Sequence, residues 1–134
     1  MPSIEYVEGI GPVNGKKLRA AGIKGTGTLL TKGADKAGRK AIAEATGISE
    51  PMILEWVNRC DLMRVNGVGS EYSDLLEATG VDTVKELRNR NADNLHAAMN
   101  ELNAKKKLVR RPPSLSETRA WVEHAKTLDP RVTH

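Results

Sequence analysis

Residues 9–23 read GIGPVNGKKLRAAGI and residues 67–81 read GVGSEYSDLLEATGV, one pattern written twice at an offset of 58. In register are Gly9 with Gly67, Gly11 with Gly69, Leu18 with Leu76, Ala20 with Ala78, Gly22 with Gly80 and Ile23 with Val81. Each stretch reads as a Gly-aliphatic-Gly turn, a helix and a closing Gly-aliphatic step. Glycine suits the turn because it takes positive φ without a side-chain penalty. Where such a turn opens a helix, the first N–H groups lack an intrahelical partner and sit at the positive end of the dipole. That geometry can hold a phosphate, so nucleic acid is the first partner to consider.

Moving outward, Ser3 and its counterpart Asp61 are expected to N-cap short helices before the two turns, ahead of Ile4/Val7 and Leu62/Val65. Pro12 suits the first position of the helix after the first turn, where its missing N–H costs nothing, and Ser70 takes that place in the second. These helices run to Ala21 and Thr79, and Gly22 and Gly80 close them in the left-handed conformation. Thr26 to Leu30 predicts a short helix, and Thr83 with Glu86 predicts a capping box for its partner, which carries Val84 and Leu87. Asp35 and Asp93 are the expected N-caps of longer helices over about 36–46 and 94–104, the first ended by Gly47. Ser49 starts a helix with Ile53, Leu54, Trp56 and Val57, and Ser114 with Glu117 predicts a capping box before Trp121, Val122 and Ala125.

Trp121 follows Trp56 by 65 residues, so the second copy carries a basic insertion, KKKLVRRPP at 105–113. No alternating apolar pattern marks a strand. The expected fold is all-α, built of tandem pseudo-symmetric units of short helices sharing one core. Residues 1–60 hold the first unit with its following helices. Residues 61–134 hold the second, with the insertion and a C-terminal helix.

The 134 residues carry 39% apolar side chains with no Phe, so the core is mostly aliphatic. Charged residues are 28% of the chain, and the apolar ones are spread along it, unlike a disordered segment. No apolar run approaches the ~20 residues that span a bilayer, and MPSIEYVEGIG lacks the basic and apolar regions of a signal peptide. A cytoplasmic protein with no membrane partner is expected. The net charge of +4 is compatible with nucleic acid without requiring it. Basicity is uneven: residues 1–60 hold nine Lys and Arg against six Asp and Glu, and residues 61–134 twelve against eleven.

The pattern aliphatic-x-x-aliphatic-x-Gly-aliphatic-Gly, helix, Gly-aliphatic resembles the helix-hairpin-helix motif. Ile4, Val7, Gly9, Ile10, Gly11, Leu18, Gly22 and Ile23 supply it once; Leu62, Val65, Gly67, Val68, Gly69, Leu76, Gly80 and Val81 supply it again. The doubled unit is similar to the paired helix-hairpin-helix domains of DNA repair proteins, DNA ligases and recombinase N-terminal domains. That resemblance implies two hairpins facing one duplex, each holding a phosphate of a different strand across the minor groove. Nearly the whole chain resembles more closely an uncharacterised helix-hairpin-helix family known only as a domain of unknown function. ILEWVNRCDLMR and LVRRPPSLSETRAWVEHAK carry that closer likeness, which brings a fold but no activity.

The candidate nucleic-acid contacts are Gly9, Ile10, Gly11, Val13, Asn14, Lys16 and Lys17 in the first copy and Gly67, Val68 and Gly69 in the second. Lys105, Lys106, Lys107, Arg110 and Arg111 in the insertion complete the set. Lys16, Lys17, Arg19, Lys24, Arg39 and Lys40 form either a binding face or a solvated surface. The second copy replaces Val13, Lys16 and Arg19 with Glu71, Asp74 and Glu77, which suit the helix dipole but repel DNA. Tyr72 either stacks or packs. Trp56, Trp121 and Cys60 read as core. His96, His124 and His134 show no metal spacing with one another or with Cys60. No nucleotide loop, catalytic triad or acidic metal centre is visible, so the chain reads as a non-enzyme without cofactor or metal. The leading expectation is sequence-nonspecific binding, with duplex DNA the first choice. The alternative is a protein-interaction adaptor that keeps the fold without nucleic acid.

Overall fold

A computed structural model describes residues 2–134. The chain is all-α: among the described residues a single-turn 3-10 helix at Ile4–Tyr6 precedes eight α-helices, and no strand forms. The helices are α1 Gly11–Ala20, α2 Thr26–Gly33, α3 Lys36–Thr46, α4 Glu50–Leu62, α5 Ser70–Ala78, α6 Val84–Leu87, α7 Ala92–Lys106 and α8 Leu115–Ala125. They divide into two compact units. One runs to Asp61 and takes in Arg131–His134; the other is Leu62–Pro130. The apolar cluster of the second unit is drawn from its own residues, from Leu62 to Leu128.

In the first unit α2 packs on α3, and α1 and α2 pack on the 3-10 turn. Ile4, Leu18, Leu29, Ile53 and Val57 are fully excluded from water; burying one such side chain contributes roughly 1.5–3 kcal/mol. In the second unit α8 packs on α6 and α7, and α5 on α7, around Leu75, Leu76, Leu87 and Met99. Both glycine turns leave ordinary backbone space, with φ +91° at Gly9 and +87° at Gly67. The helices that follow end alike. Gly22 N–H reaches Arg19 C=O at 3.0 Å and Ile23 N–H reaches Leu18 C=O at 2.9 Å; Gly80 to Glu77 and Val81 to Leu76 repeat both distances. This double closure takes a left-handed glycine and an apolar pair across the last turn.

Several expected ends fall differently. Ser3 makes no side-chain cap. Its backbone is extended and bridged to Gly25, and the turn that follows closes i to i−3, Tyr6 N–H to Ser3 C=O at 3.0 Å, which makes it 3-10 rather than α. Asp61 starts no new helix, because α4 runs through it to Leu62. The buried face of Ile53, Trp56, Val57 and Cys60 continues the helix past the expected break. Asn91, not Asp93, caps α7, accepting from Asn94 N–H at 3.0 Å. Asp93 sits in the first turn, paired with Arg119 at 3.1 Å. α2 extends past Leu30 to Gly33, and α1 and α5 stop one residue short of Ala21 and Thr79. Asp35 caps α3 as expected, and Ser114 with Glu117 forms the full capping box of α8. Thr83 caps α6, while the Glu86 carboxylate engages Arg90 at 2.9 Å.

The basic stretch is an ordered crossover. Lys105 and Lys106 complete α7, and Lys107 ends it at φ +51°. The Asn103 amide then brackets Val109, accepting from its N–H at 3.0 Å and donating to its C=O at 3.2 Å.

Candidate nucleic-acid interface

The first turn presents backbone to solvent. Gly9 and Gly11 are exposed while Ile10, between them, is buried, so Ile10 anchors the turn by its side chain and offers only main chain outward. Gly11 has φ +67°, and nothing lies within 4 Å of where a Cβ would stand. Pro12 has no N–H, which leaves the amides of Gly11, Val13 and Asn14 as the unpaired first-turn donors of α1. Val13 is 69% exposed beside them. One turn on, Lys16 and Lys17 are exposed and carry no ion pair among the described residues.

Each turn is clasped from behind by its own unit. Trp56 Nε1 lies 3.6 Å from the Cβ position of Gly9, and Trp121 Nε1 lies 3.1 Å from that of Gly67. Arg59, three residues after Trp56, donates through Nη1 to Glu8 C=O. His124, three residues after Trp121, accepts the Asn66 N–H on Nδ1 at 3.0 Å, so its ring proton is on Nε2. Both tryptophans are core residues, as expected, and they set the turns from the inside.

Two candidate cations of the first unit have other partners. Arg19 makes a two-bond pair with Glu5, at 2.8 and 2.6 Å. That hydrogen bonding holds the Glu5 carboxyl down to about 2. Gly15 makes room for it: a Cβ there would collide with the Glu5 side chain. Arg39 is 4% exposed and belongs to no binding face. Its guanidinium donates to Gly33 C=O at 2.8 Å, Ala34 C=O at 3.1 Å and Thr133 C=O at 2.7 Å. A bare charge at that depth would be costly, and the three carbonyls satisfy it. Lys24 and Lys40 remain exposed.

The second turn differs. Val68 is buried and Gly69 has an extended backbone, φ −96°, where Gly11 is left-handed. Glu71 is exposed at the head of α5, with Asp74 and Glu77 half-buried behind it. Tyr72 packs rather than offering an open stacking face. Its ring lies 5.1 Å from that of Trp121, tilted 52°, and its hydroxyl donates to Arg111 C=O at 2.8 Å. Arg111 in turn covers the Tyr72 ring and pairs with Glu117 through two bonds of 2.8 and 2.9 Å. Lys105 faces Glu101 at 3.6 Å, Lys106 is exposed, and Lys107 and Arg110 border with Glu71 a depression of about 530 Å³. The structure thus keeps Gly9, Gly11, Val13, Asn14, Lys16 and Lys17 together on one short segment. Residues 105–111 are a separate basic stretch in the other unit.

Cys60 is buried, and its thiol is pushed up to about 12, first by burial and then by the Asp61 carboxylate. Among the described residues no three His, Cys, Asp or Glu side chains gather as a metal site would require. No helix there is long and apolar enough to cross a membrane.

The sequence of this all-helical chain places it in a family. It is the family described as Domain of unknown function (DUF4332), whose family model matches residues 8–128, and the chain is a member of it. No curated protein and no solved structure matches the chain.

Proposed function

We propose that the chain is a non-enzymatic nucleic-acid-binding module built of two pseudo-symmetric helix-hairpin-helix repeats, and that only the first hairpin grips the backbone. The observation that carries this reading is the open space in front of Gly11. The amides of Gly11, Val13 and Asn14 belong to the same uncapped first turn, and Lys16 and Lys17 stand exposed one turn away. A phosphate there accepts main-chain hydrogen bonds at a helix start and gains two nearby point charges. Such contacts fix position without reading bases, so binding is sequence-nonspecific and duplex DNA is the expected ligand. The second hairpin, with Gly69 extended and Glu71 at the helix head, serves the fold.

The test is an anisotropy titration against labelled double- and single-stranded DNA and RNA over a range of salt. The expected Kd is on the order of 10⁻⁴ to 10⁻⁶ M near physiological salt. If about four phosphates are neutralised, log K falls against log salt with a slope of about −3.6 on duplex DNA. Lys16→Glu with Lys17→Glu is expected to abolish most of the affinity; unchanged affinity removes the first hairpin from the interface. The acidic head of α5 favours a second reading, a protein-interaction adaptor. Absence of nucleic-acid binding at low salt, with a defined protein partner recovered after nuclease treatment, would favour that reading instead.

A further inference from the structure

A second cationic feature of the first unit lies away from the glycine turn. Along one flank of α2 runs a depression of about 400 Å³ bordered by Gly25, Gly27, Thr28, Thr31, Lys32 and Arg131. Five of these are neighbours in sequence; the sixth arrives from about a hundred residues further along the chain. Lys32 and Arg131 carry no ion pair among the described residues, and no carboxylate borders the depression. The lining therefore offers two cations, two hydroxyls and glycine backbone, with no acidic group to balance them.

The setting of Arg131 is what distinguishes this depression from a solvated surface. Residues 131–134 belong to the first unit. Val132 is buried, Thr133 N–H donates to Ala34 C=O at 2.8 Å, and the buried Arg39 guanidinium holds Thr133 C=O at 2.7 Å. The backbone at the start of α2 is fixed as well. Ser3 bridges Gly25, Ile4 N–H donates to Lys24 C=O at 3.0 Å, and Thr26 N–H donates to Pro2 C=O at 3.2 Å. The ordering cost of the backbone that carries Arg131 to this spot is thus met within the fold and not on binding.

We infer that this depression is a phosphate site, and that the phosphate it takes is a diester of a nucleic-acid backbone. Arginine presents a planar fork that matches phosphate oxygens, lysine adds a point charge, and the threonine hydroxyls donate to the remaining oxygens. No aromatic side chain borders the site to stack a base. A free nucleotide would therefore be held by its phosphate alone, whereas a strand held elsewhere on the protein gains a further anchor without sequence preference. The assignment of a strand as the source rests on the nucleic-acid reading above; the phosphate chemistry of the pocket does not.

The experiment compares three full-length proteins: the wild type, Lys32→Gln/Arg131→Gln, and Lys16→Glu/Lys17→Glu. Each is titrated with a labelled DNA duplex by anisotropy at several salt concentrations, with far-UV circular dichroism to verify folding. In parallel, the Arg131 Nε–Hε resonance of the wild type is followed by NMR against inorganic phosphate and adenosine monophosphate. Loss of one backbone phosphate contact in Lys32→Gln/Arg131→Gln predicts a salt slope shallower by about 0.9 and an affinity lower by several-fold to tenfold. Both substitutions are at exposed side chains, and a folded double variant with wild-type slope and affinity overturns the proposal even if Lys16→Glu/Lys17→Glu loses binding. The converse result, loss only in Lys32→Gln/Arg131→Gln, supports this site and removes the hairpin. If the wild type binds no duplex, a saturating shift of the Arg131 resonance with phosphate or the nucleotide supports the phosphate site with a small-molecule source. No shift under those conditions overturns it.

Discussion

Replacing Gly9 with alanine tests the clasp behind the first turn, and Gly47 provides its control. Gly9 has φ +91°, and a Cβ there would stand 3.2 Å from Arg59 Nη1 and 3.6 Å from Trp56 Nε1. Gly47 ends α3 at φ +76° with nothing within 4 Å of its Cβ position. Gly47→Ala therefore carries the left-handed backbone penalty alone, roughly 1–2 kcal/mol, partly offset by a stiffer unfolded chain, for a net loss of about 1 kcal/mol. Gly9→Ala carries that same term and also presses on Arg59, a buried residue whose side chain donates to Glu8 C=O. A charged hydrogen bond contributes about 1.5–3 kcal/mol, so the total loss should reach roughly 2–4 kcal/mol. Both positions lie in the first unit, where Trp56 is the only tryptophan. Urea unfolding followed by its fluorescence, in a Trp121→Phe background, reads both variants with one reporter. A slope of about 1–3 kcal/mol per molar makes the difference a shift of the order of one molar in midpoint. The excess should vanish when Gly9→Ala is made on Arg59→Ala, because the partner it disturbs is gone. Equal midpoints for Gly9→Ala and Gly47→Ala would refute the clasp.

Two further predictions concern titration. Because the folded Cys60 thiol is pushed from 9.0 up to about 12, its thiolate fraction at pH 8 is lower by roughly a thousandfold, and a disulfide reagent should label it only as the chain unfolds. Between pH 9 and 12 the unfolded thiol loses its proton while the folded one keeps it, so this group lowers stability as pH rises through that window; rapid native labelling would contradict the burial argument. Arg111, and after it the Ser114 backbone, holds the Glu117 carboxyl down to about 2 from 4.5. Its contribution is present above pH 4.5 and lost as pH falls toward 2. Carboxyl NMR should place the midpoint near that value and move it upward in Arg111→Gln; an unmoved midpoint would show that the pair does not control the group.

The all-α class and most helix positions were legible because apolar spacing and capping residues agree along most of the chain. Asp35, Gly47 and the Ser114–Glu117 box are local signals read over three or four residues, and each stands where the pattern puts it. Asp61 misled because a cap signal competes with a longer one, the unbroken buried face of α4, and burial outweighs a single side-chain bond. Long-range partners were not legible at all. Nothing near Arg39 in sequence announces that Thr133 lies 94 residues away as its acceptor, or that Glu5 takes Arg19 out of the set of open cations. The depression beside Lys32 was missed for the same reason, since Arg131 reaches α2 only through folding. Lys32 and Arg131 carried no signal that could have joined them.

The two glycine stretches share their closure geometry to a tenth of an ångström in the bonds that end α1 and α5, yet their polar chemistry does not carry over. Where Arg59 donates a charged hydrogen bond to a carbonyl, His124 accepts a neutral one from an amide. Where Arg19 pairs with Glu5, the positions 58 residues on hold Glu77 and Met63. Apolar residues and left-handed glycines thus maintain the frame, and a frame of that kind tolerates either sign of charge on its outer face. A carboxylate within about 4 Å of a phosphate costs on the order of 1 kcal/mol even in bulk water. On the nucleic-acid reading, Glu71 at the head of α5 therefore weakens a phosphate contact at that helix start relative to the one at Gly11. On the proposed reading, recognition follows the charges placed on the frame, and the first unit carries them at both the Gly11 turn and the flank of α2.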